Sequence, residues 1–163
     1  MTIKFPDGDQ VFRSRLVQTQ TASKTSASST NSTNYSDTGL SKSISISSGN
    51  VVLVMVCGMV RCDNSGNSGY FEAEGQLRVV RGSTVLKGQT VGFRNSTGNG
   101  KNFFSMISFG FIDSPGAGNH TYKLQFGGGG GTFRIYVADG THYHAASGGF
   151  NPSCDLTLFE IDP

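Results

Sequence analysis

The sequence predicts an antiparallel β-sandwich, on three observations. Turn clusters of Gly, Asn, Asp, Ser and Pro recur about every 10–12 residues. Between them apolar and polar residues alternate at period two, and no stretch carries the 3.6-residue recurrence of a helix. The composition agrees: 23 glycines and 15% charged residues in a chain of 163 suit a turn-rich domain. Twelve Phe and the apolar run 51–56 still supply a core for one domain.

Taken in order, residues 1–12 form an arm unlike the rest. Ile3, Phe5, Val11 and Phe12 are interleaved with Pro6-Asp7-Gly8-Asp9, a piece too short to fold alone. Residues 13–163 make the domain. Residues 19–38 are mostly Ser, Thr, Asn, Ala and Gln, and the Thr content suits a polar edge strand pinned against another surface, such as a neighbouring subunit. Leu40–Ser47 alternates at Ile44 and Ile46, and Ser48-Gly49-Asn50 turns the chain. Val51–Val60 is apolar at nearly every position, as a strand covered on both faces must be. The loop 63–69 leads into Tyr70–Arg81, where Phe71, Ala73, Gly75, Leu77 and Val79 share a face. Gly82-Ser83 turns into Thr84–Phe93, with a bulge expected at Gly88. Phe103–Ile112 follows the loop 95–101, and 113–118 is a turn cluster. His120–Phe126 presents Tyr122, Leu124 and Phe126 on one face. Gly127–Gly131 reads as a hairpin connection to the strand Thr132–Val137. After a long loop at 138–152, Leu156–Ile161 closes the chain as a strand.

The same arithmetic excludes several classes. No apolar run approaches the roughly 20 residues of a membrane span, and the first residues lack the apolar segment of a secretory signal. The net charge is +2 and the basic residues are scattered, so no nucleic-acid footprint is expected. Cys57, Cys62 and Cys154 have no zinc-ligand spacing, and Cys57 is expected to be a buried thiol acting as a small hydrophobe. A reducing compartment is the simpler expectation, and no cofactor is implied.

Four further segments carry residues with a resemblance. They are Tyr35-Ser-Asp-Thr-Gly-Leu40 leading into Ile44-Ser-Ile46, the apolar Val51–Val60, Ser114-Pro-Gly-Ala-Gly-Asn-His-Thr-Tyr-Lys-Leu-Gln125, and Leu156-Thr-Leu-Phe-Glu-Ile161. Together, over residues 15–161, they resemble the tumour necrosis factor-like jelly-roll virion proteins of tailed phages of marine bacteria and cyanobacteria. The resemblance implies an antiparallel jelly-roll β-sandwich, a homotrimer, and a structural place in a virion assembled in the host cytoplasm. It implies no enzyme. The role would be capsid decoration or a head-fibre knob, with a tail-fibre tip that recognises host-surface glycan as the alternative. The implied partners are other copies of the chain and the major capsid protein or another virion protein, with neither nucleic acid nor membrane among them. Residues Ile3, Phe5, Val11, Phe12, Arg13 and Arg15 are the expected attachment arm. The apolar density at Phe103, Phe109, Phe111, Leu156, Leu158 and Phe159 marks the expected trimer interface.

Chemistry-bearing residues are few. His142 and His144 would share a side of an extended chain, and a three-fold axis could gather them into a metal site. Their Gly/Ser-rich surroundings instead assign them to a solvated loop, so no metal is expected. His120 lacks a nucleophile and an orienting acid in any recognisable pattern. Gly127–Gly131 precedes a strand, where a phosphate loop needs a helix. Glu72 and Glu74 share one strand face rather than opposing each other across a cleft. Loop aromatics Tyr70, Tyr143 and Phe150 are the better candidates for ligand contact, because sandwich scaffolds carry recognition on their loops.

Overall fold

A computed structural model describes residues 14–64, 71–95, 102–128, 133–138 and 153–163. They form ten strands: β1 (Arg15–Lys24), β2 (Ser28–Thr30), β3 (Ser36–Ile46), β4 (Val51–Asn64), β5 (Phe71–Arg81), β6 (Thr84–Asn95), β7 (Asn102–Asp113), β8 (Gly118–Gly128), β9 (Phe133–Val137) and β10 (Cys154–Asp162). Residues 1–13, which include the arm residues Ile3, Phe5, Val11, Phe12 and Arg13, lie outside the described residues.

The pairing is nested. β5 pairs with β6, β4 with β7, β3 with β8, β2 with β9 and β1 with β10, all antiparallel. The chain is thus one long ribbon doubled back at its middle. Its tip is the two-residue turn Gly82-Ser83 between the paired Arg81 and Thr84. Gly82 sits at φ 60, the conformation that a tight hairpin demands at its first central position. Rolling the ribbon sets β10 against β4 and β8 against β5. Two sheets result. The larger runs β1-β10-β4-β9-β2 with β7 on the other edge of β4, and the smaller runs β3-β8-β5-β6. Doubled ribbons rolled into two facing sheets are jelly rolls, so the expected fold class holds.

The alternation seen in the sequence becomes the core. Val52, Val54, Val56, Leu156, Leu158, Ile135 and Val137 project from the larger sheet. Leu40, Ile44, Ile46, Leu77, Val79, Tyr122, Leu124 and Phe126 meet them from the smaller one. Two glycines allow backbone or side chain to come close. A Cβ on Gly75 would lie 2.6 Å from Ile135 Cδ1 of the facing sheet. A Cβ on Gly58 would lie 2.5 Å from Cys154 Cα and 2.6 Å from the Ser153 carbonyl oxygen. Gly58 is the point where the edge of β4 passes from β10 to β9, because Cys154 pairs with Gly58 and Val137 with Val60.

Three local expectations are corrected. The glycines after Phe126 do not join a hairpin, since β8 belongs to the smaller sheet and β9 to the larger; the chain crosses between layers there. The irregularity in β6 falls at Leu86 rather than Gly88, for Val79 faces Lys87 while Val80 faces Val85. Cys57 is not buried: it lies on the outward parity of β4, half-exposed, with its sulfur 3.4 Å from Ser108 Oγ. Cys62 and Cys154 are the buried thiols, and burial pushes Cys154 up to about 12. All three are free.

Candidate functional site: the outer face of the larger sheet

An antiparallel sandwich normally turns polar side chains outward. The larger sheet does not do so along half of its outer face. Four strands contribute, and the register aligns their outward residues in rows. Leu16, Ile161 and Val51 form one row. Thr19, Phe159, Leu53 and Ile112 form the next. Thr21, Thr157, Met55 and Gly110 follow, and then Ser23, Asp155, Cys57 and Ser108. The face therefore grades from apolar at the end near Leu16 to polar at the end near Ser23. Ile112 is 65% exposed, Leu16 58% and Val17 40%, while Val51, Leu53, Met55, Phe159 and Ile161 cover one another and are half-buried. Met106, 70% exposed, lies apart from these rows, beyond the polar one on β7 and opposite Met59, and the apolar rows near Leu16 are the contiguous surface. Contiguous exposed apolar surface of this kind marks a contact face.

The sequence-predicted interface residues fall on both sides of this sheet. Phe159 is on the outer face, as expected. Leu156 and Leu158 are 0% exposed and belong to the chain's own core, so they have no surface left for a neighbour. Phe109 and Phe111 are half-buried and pack against that same core. Phe103 pairs with Cys62 through the backbone, on the same strand parity as Phe109 and Phe111. The physical reason is parity. Leu156 and Leu158 of β10, with Ile107, Phe109 and Phe111 of β7, face the space between the sheets, and the intervening residues Met106, Ile112, Phe159 and Ile161 are left outside. Leu53, Met55, Met106, Ile112 and Ile161 were the residues missed. The signal was present, because a strand apolar at both parities has a second apolar face.

Two polar latches close the same end of the sandwich behind this face, one on each side of β4, for Glu160 and Asp113 both pair with Val52. At the end near Leu16, the Glu160 carboxylate is 0% exposed. Its Oε1 accepts the Ser47 backbone N–H at 2.8 Å and the Asn50 side-chain amide at 2.8 Å, and its Oε2 accepts Gln18 Nε2 at 2.7 Å. The Ser47 N–H and the Gln18 amide hold the carboxyl down at about 2, against the cost of burying it. Glu160 thereby ties β10 to β1 and to the turn between β3 and β4. Where the chain leaves towards the arm, Arg15 pairs loosely with Asp162 at 3.9 Å, both exposed. At another corner, Asp113 at the end of β7 pairs with Arg81 of β5 at 2.8 Å and accepts the Tyr122 hydroxyl of β8 at 2.7 Å. Burial first, and the Asp113 carboxylate second, push the Tyr122 hydroxyl well above the ordinary phenol range. Asp113 so fastens the free-edge strand β7 of the larger sheet to the smaller one.

The remaining candidates divide simply. Tyr70, Tyr143, Phe150, His142 and His144 lie outside the described residues. His120 contacts the Gly116 carbonyl oxygen through Nε2 at 3.1 Å, which packs the turn before β8. Among the described residues no three His, Cys, Asp or Glu side chains gather as a metal site would. No helix of the described residues is long and apolar enough to cross a membrane.

No family model matches the chain, and no curated protein matches it. Solved structures do. The chain is similar to the VP2 subviral particle of infectious bursal disease virus, at 13% identity and a TM-score of 0.37, over 94% of this chain and 40% of that one. Similar figures relate it to the Gx strain of the same virus: 14% identity, a TM-score of 0.36, and 91% and 38% of the two chains. The T13 particle of that virus gives 11% identity and a TM-score of 0.34, over 94% and 38%. The chain spans about two fifths of the length of these neighbours.

Proposed function

We propose that the chain is a non-enzymatic structural protein of a virion, a jelly-roll subunit that works as a homotrimer. The observation that carries this reading is the apolar outer face of the larger sheet, with Leu53, Phe159, Ile161 and Ile112 in adjoining rows. A sheet whose inner face already fills a core gains nothing from a second apolar face unless another surface covers it. The occupant is a second copy of the chain. Soluble homo-oligomers close by point symmetry, and the family resemblance supplies the three-fold. The residues 1–12, with Ile3, Phe5, Val11 and Phe12, would anchor the trimer to a capsid or other virion protein, as a decoration or head-fibre knob. β1 begins beside Asp162, at the apolar end of the face.

Light scattering on the purified protein, followed by sedimentation with undecorated capsids, tests the reading. A trimer that co-sediments supports it, and deletion of residues 1–12 should leave the trimer intact while abolishing capsid occupancy. A monomer overturns the assembly argument. A trimer that ignores capsids but binds host cells moves the protein to a tail-fibre tip.

A further inference from the structure

We infer that the outer face of the smaller sheet holds a subsite for one pyranose ring of a glycan, seated on Gly88 between Tyr35, Gln76 and Thr90. A cavity of about 200 Å³ opens there, lined by Tyr35, Gln76, Leu77, Gly88, Gln89 and Thr90. Its floor is built by register: Gln76 pairs with Thr90 and Arg78 with Gly88, so a side chain is missing beside three outward polar ones. The volume is below the roughly 300–1,000 Å³ of sites for drug-sized ligands and suits a single sugar ring.

One wall is held in place by a chain of polar contacts across the sheet. Lys123 Nζ and Gln125 Nε2 donate to Asp37 at 2.8 and 2.7 Å. Arg78 Nε donates to Gln125 Oε1 at 2.9 Å, and the Arg78 guanidinium lies 3.8 Å from the centre of the Tyr35 ring. The Tyr35 hydroxyl donates to Gln76 Oε1. That last bond orients the Gln76 carboxamide, because its oxygen is taken and its NH₂ remains as a donor. Among the described residues the Thr90 hydroxyl has no hydrogen-bond partner, and it can both donate and accept. The Arg78 guanidinium covers one face of the Tyr35 ring, so Tyr35 lines the site beside an oriented amide and an exposed hydroxyl, and these polar groups around a floor without a side chain suit the hydroxyls of a pyranose. Lys123 and Asp37 neutralise each other, and the hydrogen bonds from Lys123 and then Gln125 hold the Asp37 carboxyl below its ordinary value. The site is remote from the larger sheet's outer face, so it stands whatever the oligomeric state.

The test is two-dimensional NMR of the full chain titrated separately with the methyl glycosides of glucose, galactose, mannose, N-acetylglucosamine and glucuronic acid. The expected result is saturable shifts at the amides of Gly88, Gln89 and Thr90, with a dissociation constant of about 1 mM for at least one glycoside, as few polar contacts allow. The glucuronide arm separates a site that uses the Arg78 charge from one that reads hydroxyls. Gly88→Leu should fill the floor and weaken binding at least tenfold. A Cβ there meets nothing closer than the Leu77 carbonyl oxygen at 3.5 Å, so the variant keeps its fold, which an unchanged spectrum elsewhere verifies. Thr90→Val should weaken binding several-fold. Absence of shifts at these amides with all five glycosides overturns the proposal, and so does unweakened binding by Gly88→Leu. An unchanged light-scattering mass in both variants keeps this outcome separate from the assembly reading.

Discussion

Glu160 should make the fold acid-sensitive in a way that one substitution removes. The perturbation is Glu160→Gln, which keeps the shape and deletes the charge. The carboxylate is 0% exposed and takes three hydrogen bonds, at 2.7, 2.8 and 2.8 Å. Its pKa falls from 4.5 to about 2 on folding. At about 1.4 kcal/mol per unit, the ionised form contributes roughly 3 kcal/mol to stability as an upper bound. Because the folded value is the lower one, that contribution is complete above pH 4.5 and drains away as the pH falls towards 2. At neutral pH the Gln variant also turns an NH₂ towards one of the donors that the carboxylate satisfied, leaving a buried polar group unpaired at a cost of about 1–3 kcal/mol. The assay is thermal unfolding of both proteins at one concentration, from pH 7 to pH 3. A loss of about 2–3 kcal/mol in a chain of this size lowers Tm by roughly 4–12 °C. The gap between the proteins should be widest at pH 7 and close by about 2 kcal/mol at pH 3. Parallel pH curves for the two proteins would refute the assignment of Glu160 as an ionised latch. Other carboxylates cancel in the difference.

Three further outcomes are expected. Ile112→Glu, at a position 65% exposed, should leave the melting of the isolated domain within about 0.5 kcal/mol but shift the light-scattering mass from the proposed trimer to monomer; an unchanged trimer mass rules out the outer face as its contact. Gly58→Ala should destabilise by about 1–3 kcal/mol in chemical denaturation, because its Cβ would lie 2.5 Å from Cys154 Cα, and a neutral result would mean that β10 can move off β4 cheaply. Tyr122→Phe should cost about 1–3 kcal/mol by removing the donor to Asp113, and in the parent protein the Tyr122 phenol should stay un-ionised by ultraviolet titration until the domain unfolds in alkali; titration with the other tyrosines would contradict its burial.

Period-two alternation was legible wherever one face of a strand is buried. Ile44 and Ile46, Leu77 and Val79, and Tyr122, Leu124 and Phe126 all lie inside as the pattern required. Turn chemistry was legible too, since Gly82-Ser83 can do little else than close a hairpin. The run of glycines after Phe126 misled, because a flexible connection looks the same whether it joins neighbours in one sheet or crosses between two. The sugar-sized cavity was not legible at all. Tyr35 and Arg78 meet only because β3 and β5 both flank β8.

What the sequence determined by itself was therefore local: which residues are strands, where they turn, and that the strands at 51–60 and 103–112 are apolar on two faces. Those properties depend on near neighbours and on the two-residue repeat of an extended chain. The tertiary structure decided which of the two apolar faces is core and which is surface. Parity along one strand is symmetric until another sheet packs on one side of it. Rolling the ribbon put Leu156 and Leu158 inside and left Phe159 and Ile161 outside. The same rolling brought the Ser47 backbone and Gln18 to Glu160, more than a hundred residues away in the chain, and so turned an ordinary carboxylate near the end of the sequence into a buried latch.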